Sequence, residues 1–404
     1  MTLPVHRWFR YSAGFSAEWV KSVVNQYKND NEQFNVFDPF VGSGTTLISC
    51  DSLGINSIGV ESHPLVSRIA KAKLNWDCEW NLFKSYAYHI LEEAKKYGGK
   101  TEGYPELIYR VYTEKSLKEL DSLKCVLNKN KDDSAEYKLT WLALISILRV
   151  CSTAGTAQWQ YILPNKHKSK SVSPYDAFQS RIDLMVNDMM IMQEETFSKS
   201  KGILMRDDAR YCSSVPSNWA DLIITSPPYA NNYDYADATR LEMTFLGEIK
   251  KWGDLQEKVR KYLIRSCTQH VTSLKNQTFE ILEDELLNPI YEEIYNVCKN
   301  LEMERENHGG KKNYHTMIAN YFLDLAHVFV ALRRIAKEGS IVCFVIGDSA
   351  PYGVYVPVDK WLGQLALSAG FKEFSFEKTR DRNIKWKNRK HRVPLKEGRL
   401  WIKG

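Results

Sequence analysis

Two short stretches of this chain combine residue types that could carry chemistry together. Asp38-Pro39-Phe40-Val41-Gly42-Ser43-Gly44-Thr45-Thr46 is a glycine-rich turn, and Thr225-Ser226-Pro227-Pro228-Tyr229 is a stiff aromatic one. Each follows an apolar run, Phe34 to Phe37 and Leu222 to Ile224, that reads as a buried strand. Glycine has no Cβ, so the first turn lets a ligand approach the backbone closely. Pro227 and Pro228 lack an N–H and fix their own φ, and each pushes the preceding residue into extended geometry. The Ser226 side chain and the Pro227 carbonyl then become candidate acceptors for the two hydrogens of a planar exocyclic amine. Such an amine is a poor nucleophile because its lone pair is delocalised into the ring. Acceptors that draw its nitrogen toward tetrahedral geometry localise that pair, the mirror image of an oxyanion hole. Tyr229 offers a face on which a base could stack.

The glycine turn, with Phe40, Ser43 and Thr45 in it, stands at the end of a strand, where ligands bind in open α/β sheets. Glu61 ends the next strand and is placed to accept from two ribose hydroxyls. Asp208, followed by Ala209, ends a third strand and is placed to accept from an adenine amino group. With Asp38, Gly42 and Gly44 they form the set a nucleoside cofactor requires. The third glycine of the dinucleotide fingerprint is missing, which counts against a nicotinamide cofactor.

The elements that must position these residues follow a βαβα opening. Ser16 is the expected N-cap of a first helix. A strand, the glycine turn and a helix run from Phe34 to Leu53, a second strand from Ile55 to Val60, and a helix from His63-Pro64 to Leu74. From 76 to 200 the pattern turns helical and amphipathic, with a polar, aromatic loop from Cys151 to Pro174. Strands return at Gly202 to Met205 and Asp221 to Ile224. A second polar, helical stretch covers 236 to 312. Then come a long helix from Tyr314 to Ala336, a strand from Ser340 to Ile346, a helix from Val358 to Ser368, and a terminal pair of strands at Phe371 to Phe376 and Arg399 to Ile402. The expected organisation is a core of 1–75, 201–235 and 313–404 interrupted by helical insertions at 76–200 and 236–312.

Hydrophobic residues make up 44% and charged residues 26% of the 404 positions, as in a globular protein. No apolar run reaches the roughly 18 residues that read as a membrane span, and the N-terminus lacks an apolar signal core. A cytoplasmic location with no membrane partner is expected. The eight cysteines are scattered, with no C-x-x-C pair, and read as reduced core thiols; no metal site is expected. The net charge of +6 is uneven: Lys378 to Lys403 holds 11 Lys and Arg against Asp381 and Glu397. A basic tail on a near-neutral body suggests contact with a polyanion, or else a solvated surface strand.

At these residues the chain resembles the DNA amino-methyltransferases of restriction-modification systems. Asp38 to Thr46 is similar to their motif I, Glu61 to the motif II acid, Asp208-Ala209-Arg210 to motif III and Thr225 to Tyr229 to catalytic motif IV. Tyr11 to Ser16, with Phe15, resembles the N-terminal motif that packs on the donor. The resemblance implies a class I, Rossmann-like α/β fold with a mixed seven-stranded sheet. It implies S-adenosylmethionine as donor and double-stranded DNA as acceptor, in a monomer or homodimer working beside a cognate restriction endonuclease. A serine before Pro-Pro usually accompanies N4-cytosine targets in that family. N6-adenine DNA methylation, RNA methylation and a catalytically idle DNA-binding subunit are the alternatives.

Such enzymes extrude the target base from the duplex. Candidate DNA contacts are Gln158, Trp159 and Gln160, whose amides can read base edges, and Lys166, Lys168 and Lys170, which can hold phosphates. Asn231 and Asn232 directly follow the catalytic turn. Lys385, Lys387 and Arg389 lie in the basic tail.

Overall fold

The computed structural model describes residues 3–11, 14–28, 33–157, 160–196, 201–231, 233–382 and 393–404. Nine strands occur among them: β1 (Asn35–Asp38), β2 (Asn56–Val60), β3 (Ala154–Thr156), β4 (Ile162–His167), β5 (Ile203–Met205), β6 (Ala220–Thr225), β7 (Ala336–Gly347), β8 (Glu373–Arg382) and β9 (Leu395–Lys403). Seven form one sheet in the order β5-β2-β1-β6-β7-β9-β8. The first five are parallel, and β9 runs antiparallel between β7 and β8. This is the mixed seven-stranded, Rossmann-like arrangement of the class I methyltransferase fold. Strand order reverses between β1 and β6, so the two chemistry-bearing turns leave the sheet side by side at the switch point.

Alternation of side chains fixes which helices cover which face. Val36, Leu222, Ile224 and Cys343 share a core with Val20, Val23 and Val24 of helix Ala17–Tyr27. Their neighbours Phe37, Ile223, Val342 and Phe344 turn the other way, onto helices Tyr314–Ile335 and Val358–Ser368. Both faces are therefore apolar, as a covered parallel sheet requires. Ser16 caps the first helix, accepting from the Trp19 N–H. His63 caps helix Pro64–Lys73 through Nδ1, with Pro64 at the first helical position, where its missing N–H costs nothing.

Tyr314–Ile335 is long and apolar enough by length and composition to cross a membrane, but its apolar window is 83% buried in protein. Helices Trp80–Lys96, Glu106–Val111, Glu114–Lys129, Ala135–Cys151 and Pro174–Glu195 share one continuous core with Val41, Leu47, Leu65 and Ile69 beside the sheet. The short helices Thr278–Leu282 and Glu285–Ile290, followed by Tyr291–Asn307, pack against Tyr314–Ile335, whereas Arg240–Phe245 and Asp254–Lys258 join the preceding helical core.

Two expectations change. The stretch from Cys151 to Pro174 contains the antiparallel β3–β4 hairpin. Its alternation is hidden because β4 buries only Ile162 and carries Pro164, tolerated at an edge. The terminal strands are also longer than their apolar runs. β8 is an edge strand rich in charge, and ion pairs Arg380–Glu397 and Arg399–Glu377 cross to β9 beyond the apolar segment. All eight cysteines are free thiols.

β2 lies against the glycine turn at Gly59, paired with Asp38. A Cβ there would stand 2.2 Å from Val41 Cγ2, 3.2 Å from Leu47 Cδ1 and 3.3 Å from the Asp38 carbonyl. Gly59→Ala is expected to cost about 1–3 kcal/mol through overpacking. Thermal unfolding checks it; an unchanged Tm would contradict the close approach.

Candidate active site

Asp38 ends β1 with only 1% of its surface exposed. Its Oδ1 accepts from Thr225 Oγ1 at 2.5 Å and from the Phe40 N–H at 2.9 Å. Its Oδ2 accepts from Thr46 Oγ1 at 2.6 Å. One carboxylate thus ties the end of β1 to the glycine turn, to the helix after it and to the residue before Ser226. Burial pushes its pKa up to about 6, against the bonds from Thr225, Thr46 and Phe40. Asp38 was expected to bind the donor directly; the structure corrects this, because its oxygens are taken up inside the protein and it does not line the cavity. Gly44 is corrected likewise: it is the left-handed N-cap of helix Thr45–Leu53, turned toward Ile48 and Ala70.

A cavity open to solvent lies beside this staple. Phe15, Phe40, Gly42, Ser43, Thr45, Glu61, Asp208 and Ala209 all line it. At Gly42 the backbone has φ +55°, and a Cβ would stand 3.1 Å from the Tyr11 ring. The Glu61 carboxylate accepts from the Gly42 N–H at 2.9 Å and the His63 N–H at 2.7 Å. Burial raises its pKa to about 7, opposed by those backbone bonds. Asp208 is gripped by Arg210, with Nε at 2.9 Å from Oδ1 and Nη2 at 2.5 Å from Oδ2. The Arg210 N–H also donates to Oδ1 at 3.0 Å and Nε reaches Oδ2 at 3.1 Å, so three donors occupy most of the roughly four acceptor sites of the carboxylate and about one, on Oδ2, is left for a ligand.

Ser226 and Pro228 close the same cavity, and Ser226 also lines a second cleft with Pro227, Tyr229 and Asn231. Phe15 and Tyr235 likewise face both. The Ser226 hydroxyl donates to the Val345 carbonyl at 3.1 Å. Its proton is thereby committed, and its remaining oxygen lone pairs can accept. Tyr321 Oη donates to the Pro228 carbonyl at 2.9 Å, and Ser349 Oγ to the Ala230 carbonyl. The stiff turn is therefore pinned from β7, the loop after it and helix Tyr314–Ile335. The Arg382 guanidinium lies 5.4 Å from the Tyr229 ring centroid, a cation–π contact.

Sequence reasoning missed Ser62, His63, Tyr262, Leu263 and Ile264, which also line the first cavity. His63 and Ser62 follow Glu61 directly, so strand-end position could have found them. Tyr262 to Ile264 lie in an irregular stretch with no motif.

The expected DNA contacts fare unevenly. Gln158, Trp159, Asn232, Lys385, Lys387 and Arg389 lie outside the described residues. Gln160 is buried in the β3–β4 turn with φ +66°, and its carbonyl accepts from Arg149. Lys168 donates to the Arg149 carbonyl at 2.6 Å. Both are corrected to structural parts of the hairpin, since tertiary packing engages them. Lys166 and Lys170 are exposed, and Asn231 is exposed at the cleft. The described part of the basic tail is not a bare polycation: Lys378, Arg380, Arg382, Lys396, Arg399 and Lys403 each face an acid.

A family model described as DNA methylase matches residues 5–72, which hold the N-terminal segment, the glycine turn and Glu61. The chain is 28% identical to the type II methyltransferase M.BsoBI of Geobacillus stearothermophilus, over 91% of this chain and 79% of that protein. It is 26% identical to M.AvaI of a Nostoc species with the same coverage. It is 33% identical to M.MjaII of Methanocaldococcus jannaschii over 34% of this chain and 23% of that one. These similarities support a reading of the chain as a DNA amino-methyltransferase. Methyltransferases of this family generally use S-adenosylmethionine.

The buried acid gives a pH prediction. The pKa of Glu61 in the folded protein lies above the ordinary glutamate value of 4.5, at about 7, so the folded state binds the proton more tightly than the unfolded chain. Its contribution to stability is full below about 4.5 and is lost as pH rises through about 7. Glu61→Gln should therefore gain stability relative to wild type across that window, by at most on the order of 3 kcal/mol. Thermal unfolding as a function of pH checks it; parallel curves would refute the shift.

Proposed function

We propose that this chain methylates the N4 exocyclic amine of cytosine in duplex DNA, with S-adenosylmethionine as donor, in a restriction-modification system with a cognate endonuclease. The observation that carries the reading is the position of Ser226, which lines both the cavity beside the glycine turn and the adjoining cleft. A donor in the first and a base in the second would meet at this residue.

The first cavity fits the donor on its own chemistry. Glu61 offers acceptors for ribose hydroxyls, Asp208 for a purine amino group, and Phe15, Phe40 and Tyr11 offer apolar walls. When bound, the donor supplies a methyl carbon made electrophilic by a sulfonium. On the other side the Ser226 oxygen, its proton given to Val345, and the Pro227 carbonyl, to which no described residue donates, are acceptors for the two amine hydrogens. Holding both hydrogens localises the nitrogen lone pair, and positioning supplies much of the remaining rate. No strong general base is required, since the product ammonium is acidic.

The cytosine assignment rests on the serine before Pro227-Pro228, through the family resemblance. Such a reaction would require extrusion of the base, because a base paired within a duplex cannot present its amine to a protein cavity. Entry of a base over Tyr229 would meet Arg382 at the ring.

Ser226→Ala should lower turnover by about 10²-fold or more while leaving donor affinity within about twofold, since the lost acceptor acts on the amine. Tyr229→Ala should cost about 1–3 kcal/mol in DNA binding. Mass analysis of nucleosides from DNA treated with the chain and donor decides the base. N4-methylcytosine supports the proposal, N6-methyladenine assigns the other target, and binding of donor with no methylated product would make the chain an idle subunit.

A further inference from the structure

We propose that Asp324, through Arg210 and Arg265, is a positioning residue that sets recognition of the donor's purine amino group. The inference rests on the donor reading above and goes beyond it to Asp324 and Arg265, which lie outside the family motifs.

Asp324 lies on helix Tyr314–Ile335 with its side chain fully buried. Its Oδ2 accepts from the Arg265 N–H and from Arg265 Nε, both at 2.9 Å. Its Oδ1 accepts from Arg265 Nη2 at 2.5 Å and from Arg210 Nη1 at 3.3 Å. Four donors match the roughly four acceptor sites of a carboxylate. Arg265 Nη1 is bound in turn by Asn320 Oδ1, one helical turn before Asp324.

Each arginine reaches the donor cavity by a different route. Arg210 grips both oxygens of Asp208, which lines the cavity. Arg265 directly follows Tyr262, Leu263 and Ile264, which also line the cavity. Arg210 Nη2 also donates to the Lys261 carbonyl at 3.5 Å, joining the two routes at the surface. One buried carboxylate therefore fixes both the acceptor expected to meet the purine amine and the wall beside it. Bidentate grips of this kind hold a carboxylate's plane as well as its place, and the plane decides whether a lone pair points at the amine. Asp324 touches neither donor nor base and acts only through these partners.

The test uses the full chain and two probes, S-adenosylhomocysteine and its analogue lacking the purine 6-amino group, with dissociation constants measured by calorimetry. Wild type should prefer the amino-bearing probe by about tenfold or more, the range for a hydrogen bond to a charged group. Asp324→Asn and Arg265→Ala should weaken the amino-bearing probe and bring the preference to within about twofold, because the Asp208 acceptor and the adjoining cavity wall lose their shared anchor. Leu365→Ala, in the core behind the sheet, should lower Tm while keeping the preference, which separates positioning from stability. If Asp324→Asn does not fold, Arg265→Lys, which loses the fork but retains the backbone bond, carries the same expectation. Retention of the wild-type preference in the folded variants overturns the proposal. Failure of wild type to bind either probe overturns the donor reading and this inference with it.

Discussion

Everything at the switch point depends on a buried carboxylate that never touches the cavity. Parallel pairing of β1 with β6 brings their ends near each other, at the usual strand spacing of about 4.8 Å. It does not fix how the following turns meet. Asp38 does so, accepting from Thr46, Thr225 and the Phe40 N–H. A buried carboxylate without such donors would be costly, and each hydroxyl without the carboxylate would lose its partner. The glycine turn and the Ser226 turn are thus set against each other by mutual need. The same geometry explains why the acid at the start of the glycine motif points away from the ligand space.

Around that staple, the site is assembled from parts that are distant in the chain. The Val345 carbonyl on β7 orients the Ser226 hydroxyl, and Tyr321 on the long helix holds the Pro228 carbonyl. The N-terminal segment brings Tyr11 and Phe15 over the glycine turn, and the stretch at Tyr262 to Ile264 supplies a further wall. The long helix is accordingly more than a cover for the sheet. Its apolar face packs on Phe344 and Trp361, while Tyr321 and Asp324 address the site.

Charge follows a similar division. In sequence the tail is the strongest basic feature, yet its described residues form cross-strand and local ion pairs. Surface pairs of this kind contribute little stability each, but they reduce the net field the tail presents. Arg382 is used twice, toward Glu397 and over Tyr229, so the end of β8 belongs to the acceptor cleft as well as to the sheet edge.

The sequence by itself determined the local elements and the chemistry they bear. Apolar runs ending in Gly42-Ser43-Gly44 and Ser226-Pro227-Pro228 mark strands and turns, because burial on both sheet faces and the constraints of glycine and proline act within a few residues. Helix Val358–Ser368 and the Ser16 cap were legible for the same reason. Only the tertiary structure decided the roles that depend on who faces whom. Asp38 turned inward because Thr225 arrives from the neighbouring strand. Gln160 and Lys168 were absorbed into a hairpin because Arg149 meets their segment, and Asp324 gathered two arginines that no spacing connects. Hydrogen bonds between residues far apart in the chain leave no period in the sequence, so packing alone assigns their partners.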